Sequence, residues 1–215
     1  MCYNQVQGVI LVSVTDVGVL VMYAPTCECD TSVPLVPNER YLDVVRCKNE
    51  KVKREKYLVW KLLERAIKER FNLDFANLEF TKRANGQWVC PELYFSLSHT
   101  DGAVCVAISD KPVGVDIEMV RPLRPELLDR ALTPDEREYA KGLGDDERLS
   151  FFLEAWVKKE SLFKRDGGEC LSPRSRDTLS TDAKAHRVTL GSDEYLIGLA
   201  YSENKKYEII YTEEI

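Results

Sequence analysis

The chain has 215 residues, 44% of them hydrophobic and 31% charged, with a formal net charge of -6. That length supports one large domain or two small lobes with a real core. Nothing in this acidic balance predicts nucleic-acid binding, and any anion site must be a local basic patch. The seven cysteines, at 2, 27, 29, 47, 90, 105 and 170, form an odd, scattered set. They fit reduced thiols of a cytoplasmic protein better than a disulfide framework. Cys27 and Cys29 make a C-x-C without a second Cys/His pair nearby, and no zinc site is expected there.

The apolar stretch from Gly8 to Tyr23 carries Asp16 and is too short to span a membrane. It lacks a basic leader and a cleavage site. It reads as two strands, GVILVSV and GVLVMYA, joined at Thr15-Asp16. Residues 25 to 38, with three prolines, read as a loop. From Asn49 the sequence NEKVKREKYLVWKLLERAIKERF places Leu58, Leu62, Ala66 and Ile67 at helical spacing. Lys51, Lys53, Arg54 and Lys56 make its entrance basic, which by itself is what a solvated helix face looks like.

Asn85-Gly86 marks a hairpin turn between LEFTKR and QWVC. Three strands follow, YFSLSHT, AVCVAISD and VGVDIEMV, the last two parted by Lys111-Pro112. Apolar side chains at both parities from Val104 to Ile108 predict a strand buried on both faces. Arg124 to Asp166 reads as helical, with Thr133-Pro134-Asp135-Glu136 as a cap. Gly142 and Gly144 interrupt it, and a second helix from about Asp146 stops at Gly167-Gly168. SPRSRDTLSTDAK is a polar loop, and EYLIGLAYS and YEIIYTEE are final strands. The expected fold is α+β: two similar, pseudo-symmetric lobes, each a small antiparallel sheet packed with a long helix. The expected lobes are residues 1–110 and 111–215, with the site at their junction.

In VGVDIE, strand alternation puts Gly114, Asp116 and Glu118 on one face. Two carboxylates on one face repel unless they lie in solvent or a cation sits between them, and magnesium suits such oxygen ligands. In the second helix, Leu149, Phe152, Leu153, Trp156 and Phe163 form an apolar stripe. Glu160 falls on that stripe and Lys164 one turn later. Either they pair at i, i+4, or a metal and a phosphate satisfy them. His99 ends a strand before a glycine turn, where it either caps the turn or donates to a phosphate. His186 falls in the polar loop and carries no expected role. No G-x-S-x-G elbow, phosphate-binding P-loop or dinucleotide fingerprint is present.

The blocks FSLSHT, VGVDIE and WVKKESLFK with its glycine pair, in that order and at these distances, resemble the 4'-phosphopantetheinyl transferases. The resemblance covers roughly residues 50 to 170 and is closer to the two-lobed, surfactin-synthetase-activating type than to the short trimeric holo-carrier-protein synthases. It implies an Mg²⁺ site, with Mn²⁺ as a substitute, on Asp116, Glu118 and Glu160. It implies that Glu160 deprotonates the carrier serine, that Lys164 contacts phosphate and assists the leaving group, and that Asp116 belongs to the catalytic set. Ser98 and His99 would contact the nucleotide end of coenzyme A, and Lys53 and Arg54 its 3'-phosphate. Lys159 matches the pattern without an evident role. The implied partners are coenzyme A and an apo acyl or peptidyl carrier protein, with no nucleic acid and no membrane, and a monomeric enzyme. Gln87 stands where the family usually has a cation, which leaves a non-catalytic coenzyme A or carrier-protein binding module as the alternative. A metal-dependent phosphoesterase is a third reading.

Overall fold

The computed structural model describes residues 18–35, 37–71, 73–122, 131–168, 172–202, 206–213 and 215. The expected strand GVILVSV and the expected helical residues 124–130 lie outside these. The described elements begin with β1 (Val19–Pro25), α1 (Asn38–Val45) and α2 (Glu50–Phe71). Then come β2 (Thr81–Lys82), β3 (Trp88–Val89), β4 (Tyr94–Thr100), β5 (Ala103–Ser109) and β6 (Val113–Met119). Helices α3 (Pro134–Lys141) and α4 (Asp145–Arg165) precede β7 (Lys184–Leu190), β8 (Asp193–Tyr201) and β9 (Tyr207–Tyr211).

The architecture is α+β. One sheet has the order β4-β5-β1-β9 and a second the order β6-β8-β7. The first is not wholly antiparallel, because β9 joins β1 in parallel, Val19 opposite Tyr207. Residues 207–211, placed by the expected boundary with 111–215, therefore complete the sheet of β1, β4 and β5. Two further elements escaped the reading of the sequence. Helix α1 follows a proline-rich loop and is too short for its period to show. Strand β7, KAHRVTL, is an edge strand with little burial and no apolar alternation, so only pairing with β8 defines it. His186 accordingly lies on a strand rather than in the polar loop. The helix caps follow the local signals: Thr133 and Glu136 form a reciprocal capping box behind Pro134.

Strand β5 is buried throughout, as its composition predicts, and its two faces serve two cores. Val104, Val106 and Ile108 join the core under α2, where Trp60 meets Phe75, Phe80, Trp88 and Phe95 at 5.1–6.1 Å between ring centroids. Cys105 and Ala107 face Val113, Val115, Ile117, Ile197 and Leu199 of the second sheet. The layers thus run α2, first sheet, second sheet, α4. No helix among the described residues is long and apolar enough to cross a membrane.

Helix α4 lies directly on the backbone of the second sheet. A Cβ at Gly114 would overlap the Ser161 carbonyl, and one at Gly198 the Val157 carbonyl, both far inside van der Waals contact. Lys159 of α4 is fully buried, and all three of its ammonium protons are used. It donates to Glu136 at 2.5 Å, to the Ala131 carbonyl at 2.9 Å and to the Arg174 carbonyl at 3.4 Å. Glu136, equally buried, also accepts from the Thr133 amide and from both the amide and the hydroxyl of Thr178. The pair fastens α3 and the 172–178 segment to α4.

Two outcomes follow. Gly114→Ala should destabilise the protein by about 3 kcal/mol or more in urea titrations, because the clash is with backbone that cannot rotate away. Lys159→Met alone should cost about 3–5 kcal/mol by leaving the Glu136 charge buried and unpaired, whereas Lys159→Met with Glu136→Leu should recover much of that loss.

Candidate active site

Strands β4 and β6 sit at adjacent edges of the two sheets, and side chains rather than backbone pairs join them. The Val115 amide donates to Ser96 Oγ at 3.0 Å and the Ile117 amide to Ser98 Oγ at 3.2 Å. Both hydroxyls are buried and take the place of carbonyl acceptors. Ser98 in turn donates to Asp116 Oδ1 at 2.8 Å, and Thr100 donates to Glu118 Oε2 at 3.1 Å. One face of β4 therefore holds the acids of β6 in place.

Helix α4 closes this side. Lys164 Nζ donates to Asp116 Oδ1 at 2.8 Å and to the Val115 carbonyl at 3.0 Å. The Trp156 indole donates to Glu118 Oε1 at 3.3 Å. Glu160 lines the same cavity, of about 430 Å³, with Asp116, Glu118, Ser98, His99 and Lys164. The three acids expected to act together thus share one pocket. Burial pushes the Glu118 carboxyl above the usual carboxylate range and Asp116 adds to it, against the hydrogen bonds from Thr100 and Trp156. Burial likewise raises Glu160, and Asp116 and Glu118 add to it while Lys164 and Arg174 oppose.

The donor set fits a hard divalent cation: Asp116 raises both Glu118 and Glu160, and its own Oδ2 is buried without a hydrogen-bond partner. The positions, however, are those of an ion-paired site. Among the described residues no group of three His, Cys, Asp or Glu side chains is arranged to hold a metal ion, and the Lys164 ammonium is what lies on Asp116.

The other face of β4 opens on a second cavity, of about 350 Å³, between α2, the β2–β3 turn and the end of α4. His99 and Lys164 line both cavities. The cations reaching this one, besides Lys164, are Arg40 and Lys56. Lys53 and Arg54, expected from the sequence, line neither cavity. They pair instead with Glu50 at 3.5 Å and Glu28 at 2.6 Å. The reason is helical phase: Lys56, two and three residues further along α2, is on the face turned to the sheet. Arg40 comes from α1, its guanidinium 5.3 Å from the Trp60 ring centroid and donating to the Lys56 carbonyl at 2.8 Å. Its Nε is buried without a partner. Nothing local in P-N-E-R marks Arg40, because only the packing of α1 against α2 brings it there.

Gln87 also has a structural place. Its Nε2 donates to the Lys164 carbonyl at 3.4 Å and its Oε1 accepts from Arg83 at 3.3 Å, so it bridges the hairpin turn to the end of α4. Asn85 does the same through the Gly167 carbonyl at 2.6 Å. His99 Nδ1 lies 3.1 Å from Glu55 Oε2. Burial, then Lys164, Arg40 and Lys56, pull His99 down to about 4, so its ring is neutral near pH 7. Ser98, expected among the ligand contacts, lines the acid cavity, and its buried hydroxyl bonds Asp116 and the Ile117 amide.

Residues 112–212 match the family model of the 4'-phosphopantetheinyl transferase superfamily. The chain is 28% identical over 109 residues to 4'-phosphopantetheinyl transferase Sfp of Bacillus subtilis, covering 49% of each chain. It is 29% identical over 133 residues to 4'-phosphopantetheinyl transferase gsp of Aneurinibacillus migulanus, covering 61% of this chain and 56% of that one. It is 32% identical over 79 residues to 4'-phosphopantetheinyl transferase AcpT of Escherichia coli, covering 35% and 40%. The matches span about half the length of these curated relatives. Strand β6 and helix α4, which carry Asp116, Glu118, Glu160 and Lys164, both lie inside the region that matches the family model.

Proposed function

We propose that this protein transfers the 4'-phosphopantetheine group of coenzyme A to a serine of an apo acyl or peptidyl carrier protein. The observation that carries this reading is the shared pocket of Asp116, Glu118, Glu160 and Lys164, continuous through His99 and Lys164 with a basic cavity. We propose further that the acid trio holds Mg²⁺, with Mn²⁺ as a substitute, that the protein acts as a cytoplasmic monomer, and that residues 1–110 and 111–215 derive from two pseudo-symmetric lobes, with β9 of the second joining the sheet of the first.

In this reading Arg40, Lys56 and His99 bind the phosphates at the nucleotide end, and a pyrophosphate reaches from that cavity to the acids. Glu160 takes the proton of the serine hydroxyl, a task its raised affinity for protons suits. The serine oxygen forms a bond to the β-phosphorus while the bond from that phosphorus to the bridging oxygen breaks, releasing adenosine 3',5'-bisphosphate. Lys164 offsets the charge that develops on the departing phosphate. Ser98 and Thr100 hold Asp116 and Glu118 still while this happens. Bound between the acids, a divalent cation supplies Lewis-acid stabilisation of phosphate charge.

Intact-protein mass spectrometry of apo carrier proteins incubated with coenzyme A and Mg²⁺ tests the reading. A carrier heavier by one phosphopantetheine is the expected result, and Lys164→Ala should slow its appearance about 10²–10³-fold. Asp116→Ala should abolish it. Binding of coenzyme A with no modification across a panel of carriers would leave the binding-module reading in its place. Release of pantetheine phosphate without a carrier would point to the phosphoesterase.

The carboxylates give a stability prediction. A carboxyl whose affinity for protons is raised by folding favours the protonated folded state, so stability is full at low pH and is lost as pH rises through the folded-state value. Glu160→Gln should therefore raise the melting temperature at about pH 8 without Mg²⁺, by about 2–4 °C for each kcal/mol relieved. The gain should shrink towards pH 4, and Mg²⁺ should stabilise the wild type more than the variant. Scanning calorimetry with and without chelator measures both.

A further inference from the structure

Behind the histidine of the basic cavity stands a carboxylate that phosphate binding alone does not explain. Glu55, on α2, is 5% exposed and lies against His99, the residue that lines the cavity with Arg40, Lys56 and Lys164. A buried carboxylate beside an anion site opposes the anion by charge, unless its hydrogen bond serves the site in another way. Its Oε2 lies 3.1 Å from His99 Nδ1, the one hydrogen-bond contact of that ring among the described residues.

We propose that Glu55 is a positioning residue: it accepts the Nδ1 proton of His99, fixes the ring against α2, and leaves Nε2 as the nitrogen available to a phosphate of coenzyme A. The inference rests on the coenzyme A reading of the cavity. A neutral imidazole has one donor and one acceptor nitrogen, and the partner of the first decides the role of the second. A ring without that partner is free to turn about its χ2 torsion and to exchange tautomers. Strand register supports the arrangement. His99 pairs with Val104 on β5 and shares a β4 face with Phe95, which packs on Trp60 of α2. Glu55 lies on the same helix as Trp60, so packing of that aromatic core sets the distance from Glu55 to His99. The neighbouring Lys51, paired with Asp101 at the β4–β5 turn, ties the same helix end to the same hairpin.

Two measurements test this. Isothermal titration with coenzyme A, without carrier, compares the wild type with Glu55→Ala, Glu55→Gln, His99→Ala and the double variant Glu55→Ala/His99→Ala. Glu55→Ala should weaken binding about tenfold, the scale of one hydrogen bond. It should have no effect in the His99→Ala background, and Glu55→Gln should restore binding, because its amide oxygen still accepts from Nδ1. Additive losses, or tighter binding by Glu55→Ala, would overturn the proposal. The second measurement needs no ligand: long-range ¹H–¹⁵N NMR of the histidine rings. The chain has two histidines, and His186→Gln assigns the other. His99 should carry its proton on Nδ1 in the wild type and in Glu55→Gln, and lose that preference in Glu55→Ala. A wild-type ring protonated on Nε2 would refute the contact. A wild type with this tautomer that fails to bind coenzyme A would sink the coenzyme reading instead.

Discussion

The site depends on how close helix α4 comes to the second sheet. Val157, Ser161 and Arg165, spaced by one turn, rest on Gly198 and Gly114, two positions on neighbouring strands where no side chain intervenes. Residues 160 and 164 then fall on the flank of the helix that looks along β6 towards Asp116. A helix raised by one side-chain layer would carry Glu160 and Lys164 away from the acids. Packing of this kind is intolerant of an added methyl group because both partners are backbone. The buried Lys159–Glu136 pair acts on the opposite side of the same helix. Such a pair is weak evidence for net stability, since desolvation offsets most of its attraction. Its contribution here is geometric, binding three separate segments to one ammonium.

The second constraint is the seam between the sheets. Ser96 and Ser98 receive amides that a regular sheet would pair with carbonyls. Ser98 links fold and chemistry, since its hydroxyl accepts from the Ile117 amide and donates to Asp116. The acids are therefore held at a point where the two sheets meet, with little freedom to separate from one another. Burial, and then the charge of Asp116 beside them, favour protonation of Glu118 and Glu160. Lys164 offsets part of this in the ion-paired arrangement, and a divalent cation would do so more completely.

An acidic chain makes an anion site by concentrating cations locally. Arg40 from α1, Lys56 from α2 and Lys164 from α4 converge on one cavity beside a neutral histidine. Gln87, which replaces a cation expected from the family resemblance, ties the turn to α4, and the cavity draws its positive charge from the helices.

Reading the sequence identified α2, α4, β4 to β6, the double burial of β5 and the acids on one face of β6, because each is written in a local period or cap. It also isolated Glu160 and Lys164, as charges placed at apolar spacing. The apolar stripe itself was too narrow: α4 also buries Ala155, Val157, Lys159 and Leu162, because it packs on the sheet with one face and on α3 with another. In the sequence Arg40 and Glu55 look like ordinary surface charges, and Lys53, Arg54 and Lys56 look alike, because the phase of α2 relative to the sheet is a tertiary property. Parallel pairing of β9 with β1 joins residues 19–23 to 207–211, and no local pattern encodes so distant a partner. Local sequence thus determined which elements form and which acids share a face. Tertiary structure alone decided which cations meet those acids, because helix phase, strand order and the glycine contacts under α4 are set by packing between segments far apart in the chain.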